Sequence, residues 1–271
     1  MVLFPNAKIN IGLNIISKRT DGYHDIETIF YPLKLHDGLE IIIDDSVKDL
    51  VFSSSGLPLD CERDRNLCYK AWLELSKNYN LPGIRIHLHK YIPFGAGLGG
   101  GSADATFVLL GLRKILNLDI SDDSLADLAS NIGSDCSFFV YNQPLLARGR
   151  GNLFNPIPIE LERYYLLLVK PDFSIGTAEA YSGIRVEKPD YPLAGLGNLP
   201  VTKWKDLIKN DFELHLFKKY PLLNDIKNKL YEMGAVYASM SGSGSALYGI
   251  FEKEPDTTGF GNYFVWKEKI M

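Results

Sequence analysis

The chain has 271 residues, a length that accommodates one large domain or two modest ones with a full hydrophobic core. Its 46% apolar and 23% charged residues are those of an ordinary soluble protein, and a net charge of −4 with no basic tract argues against a nucleic-acid partner held through phosphates. Three cysteines without a C-x-x-C pair point to a reducing compartment rather than a disulfide framework or a zinc site. No apolar run is long enough to span a bilayer and the first residues lack a signal-peptide core, so a cytoplasmic protein with no membrane partner is expected.

The first third reads as strands. From Ala7 to Ile15 apolar Ile9, Ile11, Leu13 and Ile15 alternate with Lys8, Asn10, Gly12 and Asn14, which predicts one buried and one polar face. Asp21-Gly22 marks a turn, and Ile26–Leu33 and Leu39–Ile43 are further strands. Asn66 is placed to cap a helix carrying Ala71, Trp72 and Leu75, and Ile84, Ile86 and Leu88 alternate as a strand. That strand runs into Pro93-Phe94-Gly95-Ala96-Gly97-Leu98-Gly99-Gly100-Gly101-Ser102-Ala103, after which an apolar helix is predicted from about Ala103 to Leu116. A next helix is capped by Ser121 or Asp122 and stopped by Gly133.

Near Asn155-Pro156-Ile157-Pro158 the pattern resets, which predicts a seam between a half spanning 1–155 and a half spanning 156–271. Beyond it, Tyr164–Val169 reads as a buried strand, and helices are predicted at Thr177–Ser182, Asp211–Lys219 and Asn224–Met233. Strands at Ala235–Met240 and Ala246–Phe251 flank Ser241-Gly242-Ser243-Gly244-Ser245. The fold class is α+β in two halves.

The glycine run carries the chemistry. Five glycines let consecutive N–H groups converge on an anion, and the following helix adds the positive end of its dipole. Gly95-x-Gly97-x-x-Gly100 formally matches a dinucleotide fingerprint, but Asp119 continues a helical pattern instead of ending a second strand. A Walker loop needs a lysine before Ser102, and no His-Arg-Asp accompanies Asp172-Phe173-Ser174 as a protein kinase requires. Lys8 is read either as part of a solvated strand face or as a cation in a cleft, and Asp135 either as a turn cap or as a proton acceptor. A Lys–Asp pair suits transfer to an alcohol, because the cation keeps the carboxylate ionised. Tyr23 can stack on a planar base while His24 hydrogen-bonds its edge. His87 and His89 share a strand face without a third ligand and read as surface residues, so no protein-held metal is expected.

Pro5-Asn6-Ala7-Lys8-Ile9-Asn10, Gly97-Leu98-Gly99-Gly100-Gly101-Ser102 and Ser241-Gly242-Ser243-Gly244 appear in the order found in the galactokinase, homoserine kinase, mevalonate kinase and phosphomevalonate kinase (GHMP) superfamily, which the chain resembles over roughly residues 5–251. Arg19-Thr20-Asp21-Gly22-Tyr23-His24, Gly133-Ser134-Asp135 and Pro171-Asp172-Phe173-Ser174-Ile175 narrow the resemblance to the branch that phosphorylates the 2-hydroxyl of 4-diphosphocytidyl-2-C-methyl-D-erythritol on the non-mevalonate route to isoprenoid precursors. The resemblance implies a ribosomal-protein-S5-like first half, a ferredoxin-like second half, and ATP with Mg²⁺ as cofactor. It implies Lys8 and Asp135 as catalytic pair. Asn10, Tyr23, His24, Thr177 and Tyr181 would hold a small substrate bearing a cytidine diphosphate group. Residues 93–103 with Asn66 and Lys90 would hold the nucleotide, and Gly242–Gly244 would support these loops. A monomer or weak homodimer is expected. Asn6 after Pro5, Ser134 before Asp135, Ala103-Asp104 after Ser102, and Gly176-Thr177-Ala178 depart from the usual strings. The remaining alternatives are a sibling kinase for mevalonate, homoserine or a sugar, a decarboxylating lyase of the same fold, and a non-catalytic RNA-binding protein.

Overall fold

A computed structural model describes residues 1–59 and 61–270. In chain order it contains β1 (Val2–Leu3), β2 (Asn6–Lys18), β3 (His24–His36), β4 (Gly38–Ile43), β5 (Leu50–Gly56), α1 (Leu67–Ser76), β6 (Ile84–Lys90), α2 (Gly100–Ile115), α3 (Asp122–Ser130), α4 (Phe138–Tyr141), β7 (Leu145–Arg148), β8 (Leu153–Pro156) and β9 (Tyr165–Lys170). There follow α5 (Thr177–Ser182), α6 (Trp204–Leu207), α7 (Glu213–Lys219), α8 (Pro221–Glu232), β10 (Tyr237–Met240), β11 (Leu247–Phe251) and β12 (Phe264–Lys269). The mixture of helix and strand is the α+β composition expected. No helix of the described residues is long and apolar enough to cross a membrane.

Contacts divide the chain into two compact units, each drawn from three segments: 1–7, 32–94 and 99–143 in the first, and 8–31, 95–98 and 144–271 in the second. The two units interleave along the chain, and the glycine run contributes residues to both.

In the first unit a four-stranded sheet has the order β1-β4-β6-β5. β5 and β6 are parallel, with Leu50 opposite Ile84 and Gly56 opposite Lys90, and α1 makes the crossover between them. The core forms where Leu39, Ile41, Ile84, Ile86 and Leu88 of the sheet meet Ala71, Trp72 and Leu75 of α1 and Ala105, Val108, Leu109 and Leu112 of α2. Asn66 caps α1 as expected: its Oδ1 accepts from the N–H groups of Cys68 (2.8 Å) and Tyr69 (3.3 Å). Ser121 likewise caps α3 through the Ser124 N–H. That helix stops at Ser130, before Gly133; a last turn carries the chain on through a Gly133 N–H to Ala129 carbonyl bond. Asn6, the residue after Pro5, forms a reciprocal amide pair with Asn142 at 2.8 and 3.1 Å.

The second unit holds an antiparallel sheet β10-β11-β9-β12 and most of a second sheet, β2-β3-β7-β8. Its core gathers Leu167 and Val169 of β9, Leu223, Ile226 and Leu230 of α8, and Phe212 and Leu216 around α7. The chain after Phe251 completes this sheet, because β12 pairs with β9 from Phe264↔Lys170 to Lys269↔Tyr165. The polar face predicted for β2 is not solvated: every residue from Ala7 to Ile15 is buried, so Lys8 and Asn10 satisfy their polar groups inside the protein, while Asn14 Nδ2 is buried without a hydrogen-bond partner among the described residues.

Candidate active site

In the first unit, the carboxyl ends of parallel β5 and β6 and the opening turns of α1 and α2 enclose a cavity of about 390 Å³. Leu59, Leu67, Leu88 and Phe94 give it apolar walls, and Arg65, Asn66 and Asp104 give it polar ones. Crevices at the carboxyl ends of parallel strands are the usual ligand sites of such crossovers. α2 begins at Gly100, three residues earlier than periodicity predicts, so the glycine run itself forms the first turn. Its N-cap is Gly99 in the left-handed region (φ +69°), and no side chain caps it, which leaves the first-turn N–H groups to an anion. Gly100 must lack a side chain: a Cβ there would lie 2.9 Å from Ile92 Cγ2 and 3.0 Å from Lys90 Nζ. Ser102 is the third residue of the helix and half-buried, not its cap.

Lys90 is 1% exposed. Its ammonium donates to Asp37 and, at 2.6 Å, to Asp104. Burial works against its charge, but Asp104 and Asp37 together outweigh that and hold it above the ordinary lysine value. Burial pushes the Asp104 carboxyl the other way, up to about 8, against the pull of Lys90. Asp37 also accepts from the N–H groups of Tyr91 (2.6 Å) and Ile92 (2.8 Å). Lys90 is thus held by the side chains of Asp37 and Asp104, and the cluster fastens the end of β6 to the start of α2. Asp104 Oδ1 is buried without a hydrogen-bond partner, on a residue that lines the cavity.

Asp135 is half-buried in the turn between α3 and α4. Thr106 Oγ1 of α2 lies 2.8 Å from the Cys136 carbonyl and 2.9 Å from that of Ser102, which anchors this turn to α2. Burial raises the Cys136 thiol to about 12, so it is no nucleophile.

The middle of the glycine run, 95–98, belongs to the second unit and lies against the loop 241–246. The Ser245 N–H donates to Gly95 O and the Ala246 N–H to Ala96 O, both at 3.2 Å, and Ser241 Oγ donates to Gly97 O at 2.8 Å. Gly97 has φ +73°, and a Cβ there would sit 1.9 Å from Ser241 O, so two glycine-serine loops touch backbone to backbone. Lys8, 2% exposed, donates from Nζ to Asn10 Oδ1 (2.6 Å) and Gly97 O (3.2 Å), and its N–H donates to Leu98 O. Asn10 in turn donates from Nδ2 to Thr28 Oγ1 at 3.0 Å. The strand pattern places Lys8 and Asn10 on one face; the structure joins Lys8 to the glycine run directly and Asn10 to it through Lys8 and through Ser241, whose Oγ accepts from the Asn10 N–H.

Tyr23 is exposed, at the end of a turn in which its N–H donates to Asp21 Oδ1. His24 stacks on Tyr181 with ring centres 4.8 Å apart, and Tyr181 meets Phe212 edge-on at 4.9 Å. Burial, then the Lys18 charge, lowers the His24 pKa, so its ring is neutral at neutral pH. Thr177 opens α5, one turn before Tyr181, and is exposed. A residue not anticipated joins this group: the Arg150 guanidinium lies 5.0 Å from the centre of the Tyr23 ring. Its only sequence signal is a bulky cation between two glycines. Lys8 and these aromatic residues lie in the second unit, Asp135 and the 390 Å³ cavity in the first. His87 and His89 bond to Ser53 and Ser55 on β5, and no cluster of three or more His, Cys, Asp or Glu residues suited to a metal occurs among the described residues.

The GHMP kinases N terminal domain model matches residues 66–143 and the GHMP kinases C terminal model residues 199–257. A 4-diphosphocytidyl-2-C-methyl-D-erythritol kinase of Parabacteroides distasonis is 48% identical over the whole of both chains. One of Azobacteroides pseudotrichonymphae is 50% identical over 98% of both. A crystal structure of 4-(cytidine 5'-diphospho)-2C-methyl-D-erythritol kinase, 32% identical, superimposes with a TM-score of 0.79 over 92% of this chain and 90% of the other. The mevalonate kinase of Methanococcus jannaschii, at 15% identity and a TM-score of 0.72 over 100% of this chain and 98% of its own, shares the fold.

Proposed function

The chain belongs to the 4-diphosphocytidyl-2-C-methyl-D-erythritol kinase family of GHMP kinases, and from that premise we propose that it transfers the γ-phosphoryl group of ATP to the 2-hydroxyl of 4-diphosphocytidyl-2-C-methyl-D-erythritol, releasing ADP. The observation that carries this reading is identity near one half over complete chains of that single activity. Sibling kinases share the fold at 15% identity, which favours none of their substrates.

ATP suits the first unit's cavity. Apolar walls take the base, and the uncapped start of α2 offers N–H donors to phosphate. Residues 93–103 would wrap the phosphates; Asn66 and Lys90 would act by fixing the opening turns of α1 and α2. Mg²⁺ would travel with the nucleotide and neutralise its phosphates, taking oxygen ligands largely from them. Asp135 would orient the acceptor hydroxyl and take its proton, and Lys8 would stabilise the carboxylate and the charge developing on the transferred group. Asn10, Tyr23, His24, Thr177 and Tyr181 would hold the cytidine end, with Tyr23 against the base. Gly242–Gly244 would support the glycine run. The first half, 1–155, would supply the nucleotide site, and the second half, 156–271, would close the substrate site. We further propose a cytoplasmic monomer or weak homodimer without a nucleic-acid partner.

ADP release from a panel containing the cytidylated methylerythritol, mevalonate and homoserine tests the reading: turnover with the first alone is expected, and preference for either other compound overturns it. Asp135→Ala should lower kcat by about 10²–10³, the usual loss for one group acting on the reacting atoms. Near-full turnover from a folded Asp135→Ala protein would remove Asp135 from the chemistry.

A further inference from the structure

We propose that Arg150 is a substrate-specificity residue that grips the diphosphate of the cytidine end and makes the site prefer a nucleoside diphosphate to a nucleoside; the inference rests on the substrate reading above and names a residue that reading does not use.

Arg150 sits in the turn joining β7 to β8. Gly149 (φ +65°) and Gly151 (φ +96°) on either side bend the chain so that the arginine projects from the tip. The turn is pinned beside the proposed base pocket: Ala147 and Leu146 of β7 pair with Thr28 and Ile29 of β3, and the Ile26 N–H donates to Gly149 O at 2.7 Å, two residues from His24. From there the guanidinium reaches 5.0 Å from the Tyr23 ring centre, where the face of the ring attracts it. Its side chain is half-buried rather than extended into solvent.

The neighbouring arginines are already paired. Arg148 binds Glu27 Oε2 at 2.9 Å, and Arg19 binds Asp21 and Asp25 at 3.0 and 2.9 Å. Arg150 has no carboxylate within 4 Å among the described residues; Asp21 feels its charge only at longer range. The other polar ring beside Tyr23, His24, is kept neutral by burial and Lys18, so it brings no charge to an anion. Lys18 itself is exposed. A half-buried guanidinium held against a base-stacking tyrosine is suited to the anionic group that lies beyond the ribose in the substrate. Two phosphates offer the paired oxygens that a planar fork binds bidentately.

The test measures binding of CDP and of cytidine to the full chain by calorimetry, beside turnover of the cytidylated methylerythritol. Arg150→Met should weaken CDP by about 10- to 100-fold, the worth of a charge-assisted pair, and cytidine less than about twofold, while KM for ATP stays unchanged. Arg150→Lys, which keeps the charge and loses the fork, should fall between, and it serves if the Met variant does not fold. Equal weakening of CDP and cytidine would show that Arg150 only props Tyr23, and unchanged CDP binding would show that it does nothing at the site; either result overturns the proposal. Because binding is measured without turnover, the two readings separate. Arg150-dependent CDP preference without turnover would sink the substrate reading alone, and turnover with CDP preference independent of Arg150 would sink this one alone.

Discussion

Tyr23 and Lys8 show how differently two residues of one site depend on their surroundings. Tyr23 is 53% exposed and is held, among the described residues, by a turn and by Arg150, so little folding energy rests on it. Tyr23→Ala should shift stability by less than about 0.5 kcal/mol, yet cost about 1–3 kcal/mol of substrate binding through the lost base stack. Isothermal titration with CDP and with an ATP analogue decides: weakening confined to CDP is expected, and equal weakening of both ligands makes Tyr23 a structural residue. Lys8 is the opposite case, buried to 2% and bonded to Asn10 and Gly97. Its residue type and strand face were legible, because a lysine in so apolar a strand needs a polar partner. The identity of that partner was not, because Gly97 lies 89 residues away and alternation along a strand carries no information about what crosses it.

At the level of elements, the glycine run was legible as a phosphate cradle and misjudged as a boundary. A helix start is read from the first periodic apolar side chain, and Gly100 and Gly101 have none to offer, so α2 was expected to begin at Ala103. β5 was missed for a related reason. Its Ser53-Ser54-Ser55 lack the β-branched or aromatic side chains that signal a strand, and parallel pairing with β6 supplies the order instead. β12 pairs with β9, nearly a hundred residues earlier, and no local pattern announces that partner. The close approach of the two glycine-serine loops yields a prediction. Gly97→Ala forces a Cβ into Ser241 O at a positive φ, which should cost about 2–4 kcal/mol, the sum of left-handed strain and overpacking. Gly176→Ala, at φ −70° with open space around it, is the control and should cost no more than about 1 kcal/mol, the difference between glycine and alanine as a helix cap. Thermal melts of the two variants test this; a Gly97→Ala protein as stable as wild type would mean that the loops separate freely.

For the whole molecule, the pattern of strands and helices read correctly as α+β, but the interleaving of the two units was not readable: periodicity is local, and the segment 95–98 is separated from 241–246 by some 140 residues of unrelated pattern. The buried cluster of Asp37, Lys90 and Asp104 links a single titration to global stability. Burial raises the Asp104 carboxyl from an ordinary 3.8 to about 8, so the folded chain holds a proton that the unfolded chain releases near pH 4. Between those values the native state binds more protons than the unfolded one, and stability must fall as pH rises, levelling off above the folded value. Lys90, raised above its ordinary value, stays charged throughout this window and adds no slope. The loss should approach, and not exceed, about 1.4 kcal/mol per pH unit for one proton. Urea unfolding at pH 5, 6.5 and 8.5 measures it as a difference between wild type and Asp104→Asn. The amide mimics the protonated carboxyl, so the variant should lose less stability on going to pH 8.5 than wild type does. Parallel pH profiles would show that Asp104 is already ionised in the folded protein at pH 5, with Lys90 compensating both carboxylates.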